Sequence, residues 1–193
     1  MRDNVNVSQR DFDKMALKLS SNGIDKVHMT GESIDKIYKN GELVQTIVGH
    51  NLVINSFLNL VMCLLKQQSG YAGIQYWAVG SGADAWDGSI PNPDIKATRL
   101  TYEIGRVPIS RDDLSFLDKT YDEVSTPTNI LQIKHTFGTD DCNGVWREFG
   151  IFGGNATADA GSGIMINKRH HEVITKTSEM MVERVMRFTL NLS

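Results

Sequence analysis

Two stretches alternate apolar and polar side chains strictly enough to constrain what most of this chain can fold into. Within residues 130–137, Leu131, Ile133, His135 and Phe137 fall on one face and Gln132, Lys134 and Thr136 on the other. Within residues 181–192, Val182, Met186, Phe188, Leu190 and Leu192 share a face opposite Glu183, Arg187, Thr189 and Asn191. A period of two belongs to a strand with one buried and one wet side. Further β-prone runs at residues 74–79, 145–152, 164–168 and 172–175 are separated by segments rich in Gly, Asp and Pro. Residues 100–109 carry Gly105 and Pro108, which suits an edge strand or a bulge. Asn40-Gly41 between two β-prone runs predicts a hairpin over residues 34–48. Some seven to nine strands, without the helix-strand alternation of a parallel sheet, predict a mainly β chain: an antiparallel, jelly-roll-like β-sandwich.

Two segments follow a helical period instead. Ser8 and Asp11 have capping-box spacing, and Phe12, Met15, Ala16 and Leu19 form an apolar stripe ending near Asn22-Gly23. The second is the apolar run 52–65, entered through Gly49-His50-Asn51 and left through Gln67-Gln68-Ser69-Gly70, which predicts one buried helix. With Asn55, Ser56 and Asn59 inside it, that run is shorter than the roughly 20 apolar residues of a bilayer span. No membrane association is therefore expected. The domain expectation is a helix-plus-hairpin docking arm over residues 1–47 and a sandwich over 48–193.

Charge narrows the partners. Twenty Lys and Arg against 23 Asp and Glu give a net charge of −3, so the broad basic field needed to bind nucleic acid is missing. Cys63 and Cys142 form neither a disulfide framework nor a zinc motif. The first residues have no apolar signal core, and synthesis in a reducing cytoplasm is expected.

Motifs of chemistry are sparse. Gly80-Ser81-Gly82 follows a strand but lacks the Gly-Lys-Ser/Thr of a phosphate loop. Asp84, Asp87 and Asp94 share a loop without the spacing of a calcium hand. His170 and His171 are adjacent, so on a strand their rings point to opposite faces and cannot chelate one ion together. Glu148, in Trp146-Arg147-Glu148-Phe149-Gly150-Ile151-Phe152, lies in an apolar strand on the expected face of Trp146 and Phe152. A carboxylate there needs a partner, and Arg106, Arg147 or Arg169 is the expected one. Glu103 and Arg106 invite the same pairing. No catalytic, cofactor or metal residues are assigned.

The ordered segments GHNLVINSFLNLV, IQYWAVGSG, TRLTYEIGR, WREFGIFGG and GIMINKRHHEVITK, followed by the final amphipathic strand, resemble a pattern in structural proteins of tailed-bacteriophage virions, the tail-fibre, collar and baseplate-associated group. The resemblance covers roughly residues 48–192. It implies a β-rich virion subunit without a cofactor, assembled in the host cytoplasm. Asn51, Gly80, Gly82, Glu103, Arg106, Glu148, Gly150, Phe152 and Arg169 match the pattern as scaffold positions. The polar loop after Gly80 and the first 47 residues depart from it. The expected function is non-enzymatic: self-assembly as a homo-oligomer and docking to other virion structural proteins, with a head decoration or neck protein as the alternative. A glycan-binding module is the rival class, with Tyr76, Trp77 and Trp86 as aromatic platforms; two-carboxylate glycoside hydrolysis is a weaker third option.

Overall fold

A computed structural model describes residues 27–192 of the chain, and the amphipathic helix expected over residues 8–23 lies outside them. The compact unit that carries the fold is Met29–Thr189. Its strands are β1 (Val27–Lys39), β2 (Glu42–Val53), β3 (Ala72–Gly80), β4 (Glu103–Pro108), β5 (Leu114–Leu117), β6 (Glu123–Val124), β7 (Ile130–Phe137), β8 (Gly144–Gly154), β9 (Ile164–Lys176) and β10 (Met180–Leu192), with one α-helix, α1 (Ser56–Leu65). The strands form a single sheet in the order β4-β3-β8-β9-β2-β1-β10-β7-β5-β6, curled into a half-barrel. The antiparallel, mainly β architecture is as expected. The two separate layers of a sandwich are not seen, because β2 belongs to both halves: Glu42 to Asn51 pair with β1, and Leu52 and Val53 pair with β9.

Asn40 and Gly41 both have positive φ, 51° and 84°, the geometry an Asn-Gly hairpin turn requires. This hairpin is not an outlying arm. It lies between β9 and β10, so an arm boundary at residues 47/48 would cut through β2. Ile37 of β1 is 2% exposed and belongs to the main core.

The apolar run 52–65 divides in two. Leu52 and Val53 finish β2, Ile54 is buried, and the helix starts only at Ser56, so Asn51 sits in a strand opposite Gly31 and not at a helix entrance. Only Leu60 of α1 is fully buried, while Leu58, Met62 and Leu65 are 65%, 64% and 72% exposed. The expectation of an all-round buried helix is corrected: α1 packs along one side alone.

Curling brings distant strands together around one core. Trp77 and Val79 of β3, Phe149 and Ile151 of β8, Ile133 and Phe137 of β7, and Val182, Met186 and Phe188 of β10 meet there. Trp77 lies 6.3 Å from Phe137 edge-on, and Phe137 lies 5.0 Å from Trp146. On the reverse face Ala78, Phe152 and Met165 are covered by Ile54, Leu100 and Ala156 in a second cluster.

Charges sit inside the main core. Asp35 of β1 and Arg184 of β10 are both wholly buried and joined two-pronged, Nε to Oδ1 and Nη2 to Oδ2, the latter at 3.1 Å. The guanidinium lies 4.1 Å from the Phe149 ring centre and 5.5 Å from that of Trp146. Arg169 of β9 is buried nearby and donates to the Ser33 hydroxyl. Burial lowers its pKa, Asp35 opposes that, and Arg184 adds to it. His171, on the opposite side of β9 from His170, is driven down to about 3 by burial and by the Arg184 charge.

Removing one member of the Asp35–Arg184 pair strands the other charge in a dry core. Asp35→Ala or Arg184→Met alone is expected to cost about 3–5 kcal/mol in urea unfolding, and an Asp35→Leu/Arg184→Met double variant is expected to recover most of that loss. His171 is kept neutral in the folded state while the unfolded chain protonates near 6.5. Its contribution is therefore complete above that value and is lost progressively as pH falls toward about 3. Urea midpoints at about pH 7 and 5 should fall further in the wild type than in His171→Asn.

Candidate functional site

Glu148 and its surroundings gather most of the residues singled out in the sequence. The β8–β9 pairing is irregular here: Trp146 pairs with Ile174 and Glu148 with His170, so the register shifts between them. Across this irregularity Trp146 lies in the main core with Phe149, and Glu148 lies on the reverse face with Gly150 and Phe152. The expectation that Glu148 shares a face with Trp146 is thus corrected, while its sharing with Phe152 stands.

The carboxylate is wholly buried, and its partner is a lysine, not one of the three arginines. Lys168 Nζ lies 2.8 Å from Glu148 Oε2, and the Tyr102 backbone N–H donates to Oε1 at 2.9 Å. Burial pushes the Glu148 pKa up, but the Lys168 ammonium and the Tyr102 and Thr101 N–H groups outweigh it, so the group stays ionised below the usual carboxylate range. Lys168 also donates to the Thr101 hydroxyl at 3.1 Å. His170 Nε2 lies 3.7 Å from the same carboxylate, and its Nδ1–H donates to the Pro91 carbonyl at 2.8 Å. Burial lowers the His170 pKa, and Lys168 adds to that.

These groups hold down the long loop that follows β3. Trp86 stacks on the His170 ring at 4.1 Å between centres. Arg147 donates to Asp87 Oδ2 at 2.9 Å, to Asp84 Oδ1 at 3.0 Å and to the Ser81 carbonyl at 3.1 Å. Two of the three aspartates considered for calcium therefore serve an arginine, and the third, Asp94, accepts from the Lys96 N–H. Among the described residues no group of three His, Cys, Asp or Glu is placed to hold a metal ion.

The two glycines beside the site are demanded by space. A Cβ on Gly80 would lie 2.7 Å from Glu148 Oε1 and from the Tyr102 carbonyl oxygen. Gly82 has φ +57°, and a Cβ there would lie 2.4 Å from the Trp86 ring. Gly150 lies opposite Lys168, where a Cβ would come within 2.9 Å of the Asn167 carbonyl oxygen.

The Glu103–Arg106 pairing is present as expected. Arg106 Nε donates to Oε1 at 2.6 Å and Nη2 to Oε2 at 2.9 Å, a two-pronged clamp. Arg106 Nη1 also reaches the Thr157 carbonyl and the Ser162 hydroxyl, both at 2.9 Å, while Glu103 accepts from the Gly161 N–H. The clamp ties edge strand β4 to the loop between β8 and β9. Its guanidinium lies 4.6 Å from the Phe152 ring centre and 5.7 Å from that of Tyr76.

Two of the nominated residues lie apart. Arg169 faces the main core, and Asn51 has both side-chain polar atoms buried without a partner. Sequence reasoning missed Lys168, His170, Trp86 and Tyr102 as the company of Glu148. It also missed Arg184, although its place two residues from both Val182 and Met186 puts a cation in the inward phase of β10.

Together these contacts make a lock: ionised carboxylates and cations are matched, and the loop over them is held at Ser81, Asp84, Trp86, Asp87, Pro91, Thr101 and Tyr102. Glu148→Ala leaves the Lys168 charge buried alone and is expected to cost about 3–5 kcal/mol, with Glu148→Gln costing less. Because the folded pKa is lowered, that difference is present in full above about 4.5 and vanishes as pH falls through the folded value. Melting curves of both variants at neutral and acid pH check both statements.

No family model, no curated protein and no solved structure matches the chain.

Proposed function

We propose that the chain is a non-enzymatic structural subunit of a tailed-phage particle, placed in the tail, collar or baseplate, that works by self-association and by docking to other virion proteins. In this reading the two halves of the curled sheet serve as the layers of a sandwich, and the locked loop after β3 is part of a rigid building block. The observation that carries it is the outward row Leu58, Met62 and Leu65 on α1, at 65%, 64% and 72% exposure. These residues stand at i, i+4 and i+7, one stripe of a helix, where solvent-facing positions ordinarily carry charge. The ordered segments that resemble the phage group add the particle type. A head decoration or neck protein is the alternative placement within the same class.

The nominated aromatic platforms do not favour glycan binding: Trp77 is 0% exposed, Trp86 is stacked on His170, and Tyr76 lies beside Arg106.

The test is the solution mass of the full chain by light scattering, alone and with Leu58→Glu/Met62→Glu. An oligomer that dissociates in the double variant while the melting temperature holds supports assembly through α1. A monomeric wild type that also fails to enter particles would overturn the assignment.

A further inference from the structure

The face of the sheet turned away from the main core carries a cavity of about 320 Å³ lined by Thr30, Glu32, His50, Tyr121, Arg187 and Thr189. We infer that this cavity is a binding site for the pyranose ring of a neutral sugar. The inference goes beyond the assembly reading and does not depend on it.

The floor comes from three adjacent strands. Glu32 of β1 pairs across to His50 of β2, and Arg187 of β10 approaches Glu32 from the other side, Nη1 to Oε2 3.9 Å. Arg187 is positioned from behind, since its Nε donates to Gln132 Oε1 at 3.0 Å. Glu32 and Arg187 are therefore close enough to balance each other's charge but too far apart to hydrogen-bond. A hydroxyl oxygen about 2.8 Å from each fits astride that gap, accepting from Nη1 and donating to Oε2. An anion would face Glu32 and a cation would face Arg187. A neutral ligand whose neighbouring groups both donate and accept, such as the vicinal hydroxyls of a sugar, satisfies both. The Thr30 and Thr189 hydroxyls and the His50 ring add further donors and acceptors of the same kind.

Tyr121 supplies the apolar element. One side of its ring covers the Arg187 guanidinium, 4.6 Å from ring centre to the central carbon, and the residue is 50% exposed. An aromatic plane beside convergent polar groups is the usual composition of a small-molecule site, and this cavity has the volume of a small one.

Backbone strain points to the same residue. Tyr121 has φ +67°, a conformation that a bulky side chain rarely adopts. The turn enforces it: the Tyr121 N–H donates to the Asp118 carbonyl, the Asp118 N–H donates to the Asp122 carbonyl, and Asp118 Oδ1 accepts from Thr120 and from the Asp122 N–H. Glycine or asparagine would meet that geometry at lower cost, so the phenol ring is held there against local preference.

The experiment is saturation-transfer NMR on the full-length protein with methyl α-glycosides of glucose, galactose and mannose. Transfer to the ring C–H protons is expected for at least one of them, falling by about tenfold in Tyr121→Gly and in Arg187→Lys, which keeps the charge but loses the fork. Tyr121→Gly is expected to melt at or above the wild-type temperature, because glycine relieves the strain. Tighter retention on a polysaccharide bearing the preferred ring as chain ends assigns the site to a glycan; equal affinity assigns it to a free sugar. No transfer from the wild type to any of the three, transfer undiminished in Tyr121→Gly, or a Tyr121→Gly protein that melts below the wild type would overturn the inference, the last because the ring would then be a structural prop.

Discussion

The wholly buried pair Asp35–Arg184 is the constraint around which the rest of the fold is arranged. It joins β1 to β10 at the centre of the strand order and faces aromatic rings on β3 and β8. A salt bridge in such a place contributes less net stability than an apolar pair of similar size, because both ions give up water. What it contributes is register. A slip of β10 by one residue would turn Arg184 outward and leave Asp35 alone among Trp77, Trp146 and Phe149, an arrangement with a large penalty. The ring faces around the guanidinium make the pairing tolerable, since they supply electron-rich surface where water is excluded.

A second set of charges acts on the reverse face by a different logic. Glu148–Lys168 and Glu103–Arg106 are pairs on strands whose remaining hydrogen bonds reach loops, and Arg147 pairs directly with Asp84 and Asp87 of a loop. The loop between β3 and β4, whose one regular turn is the 3-10 helix Asp84–Asp87, has a large entropy to lose. Here it is ordered by charge-assisted hydrogen bonds and by the Trp86–His170 stack, with Leu100 and Ala97 as apolar anchors. The Glu148 carboxylate and the neutral His170 are thus consumed by structure.

Much of this could be read from the residues. The alternation in β7 and β10, the Asn-Gly turn, the edge position of β4 and the Glu103–Arg106 pair all follow from local spacing, because each depends on neighbours within a few positions. The register shift between Trp146 and Glu148 could not be read, since a period of two assumes an unbroken strand, and across it Trp146 and Glu148 face opposite sides. The start of α1 was misplaced for a related reason: apolar residues finishing β2 run directly into apolar residues opening the helix, and hydrophobicity alone does not mark the join. Lys168 as the partner of Glu148 is a matter of diagonal placement between β8 and β9, which depends on the register of a long-range pairing. β5 and β6 are too short to stand out from the loops around them.

The strand order also dictates when the molecule can become itself. The hairpin β1–β2 is made early, but its free edge and the Asp35 carboxylate wait for β10, the last of the described strands, whose arginine lies 149 residues further along the chain. Closing a separation of that length is slow compared with forming a hairpin. On the ribosome β1 and β2 therefore emerge with an open strand edge and an unmatched acid until β10 brings Arg184. A nascent chain that stops short of residue 184 has no folded state of this kind to reach, so the core closes only once β10 has been made.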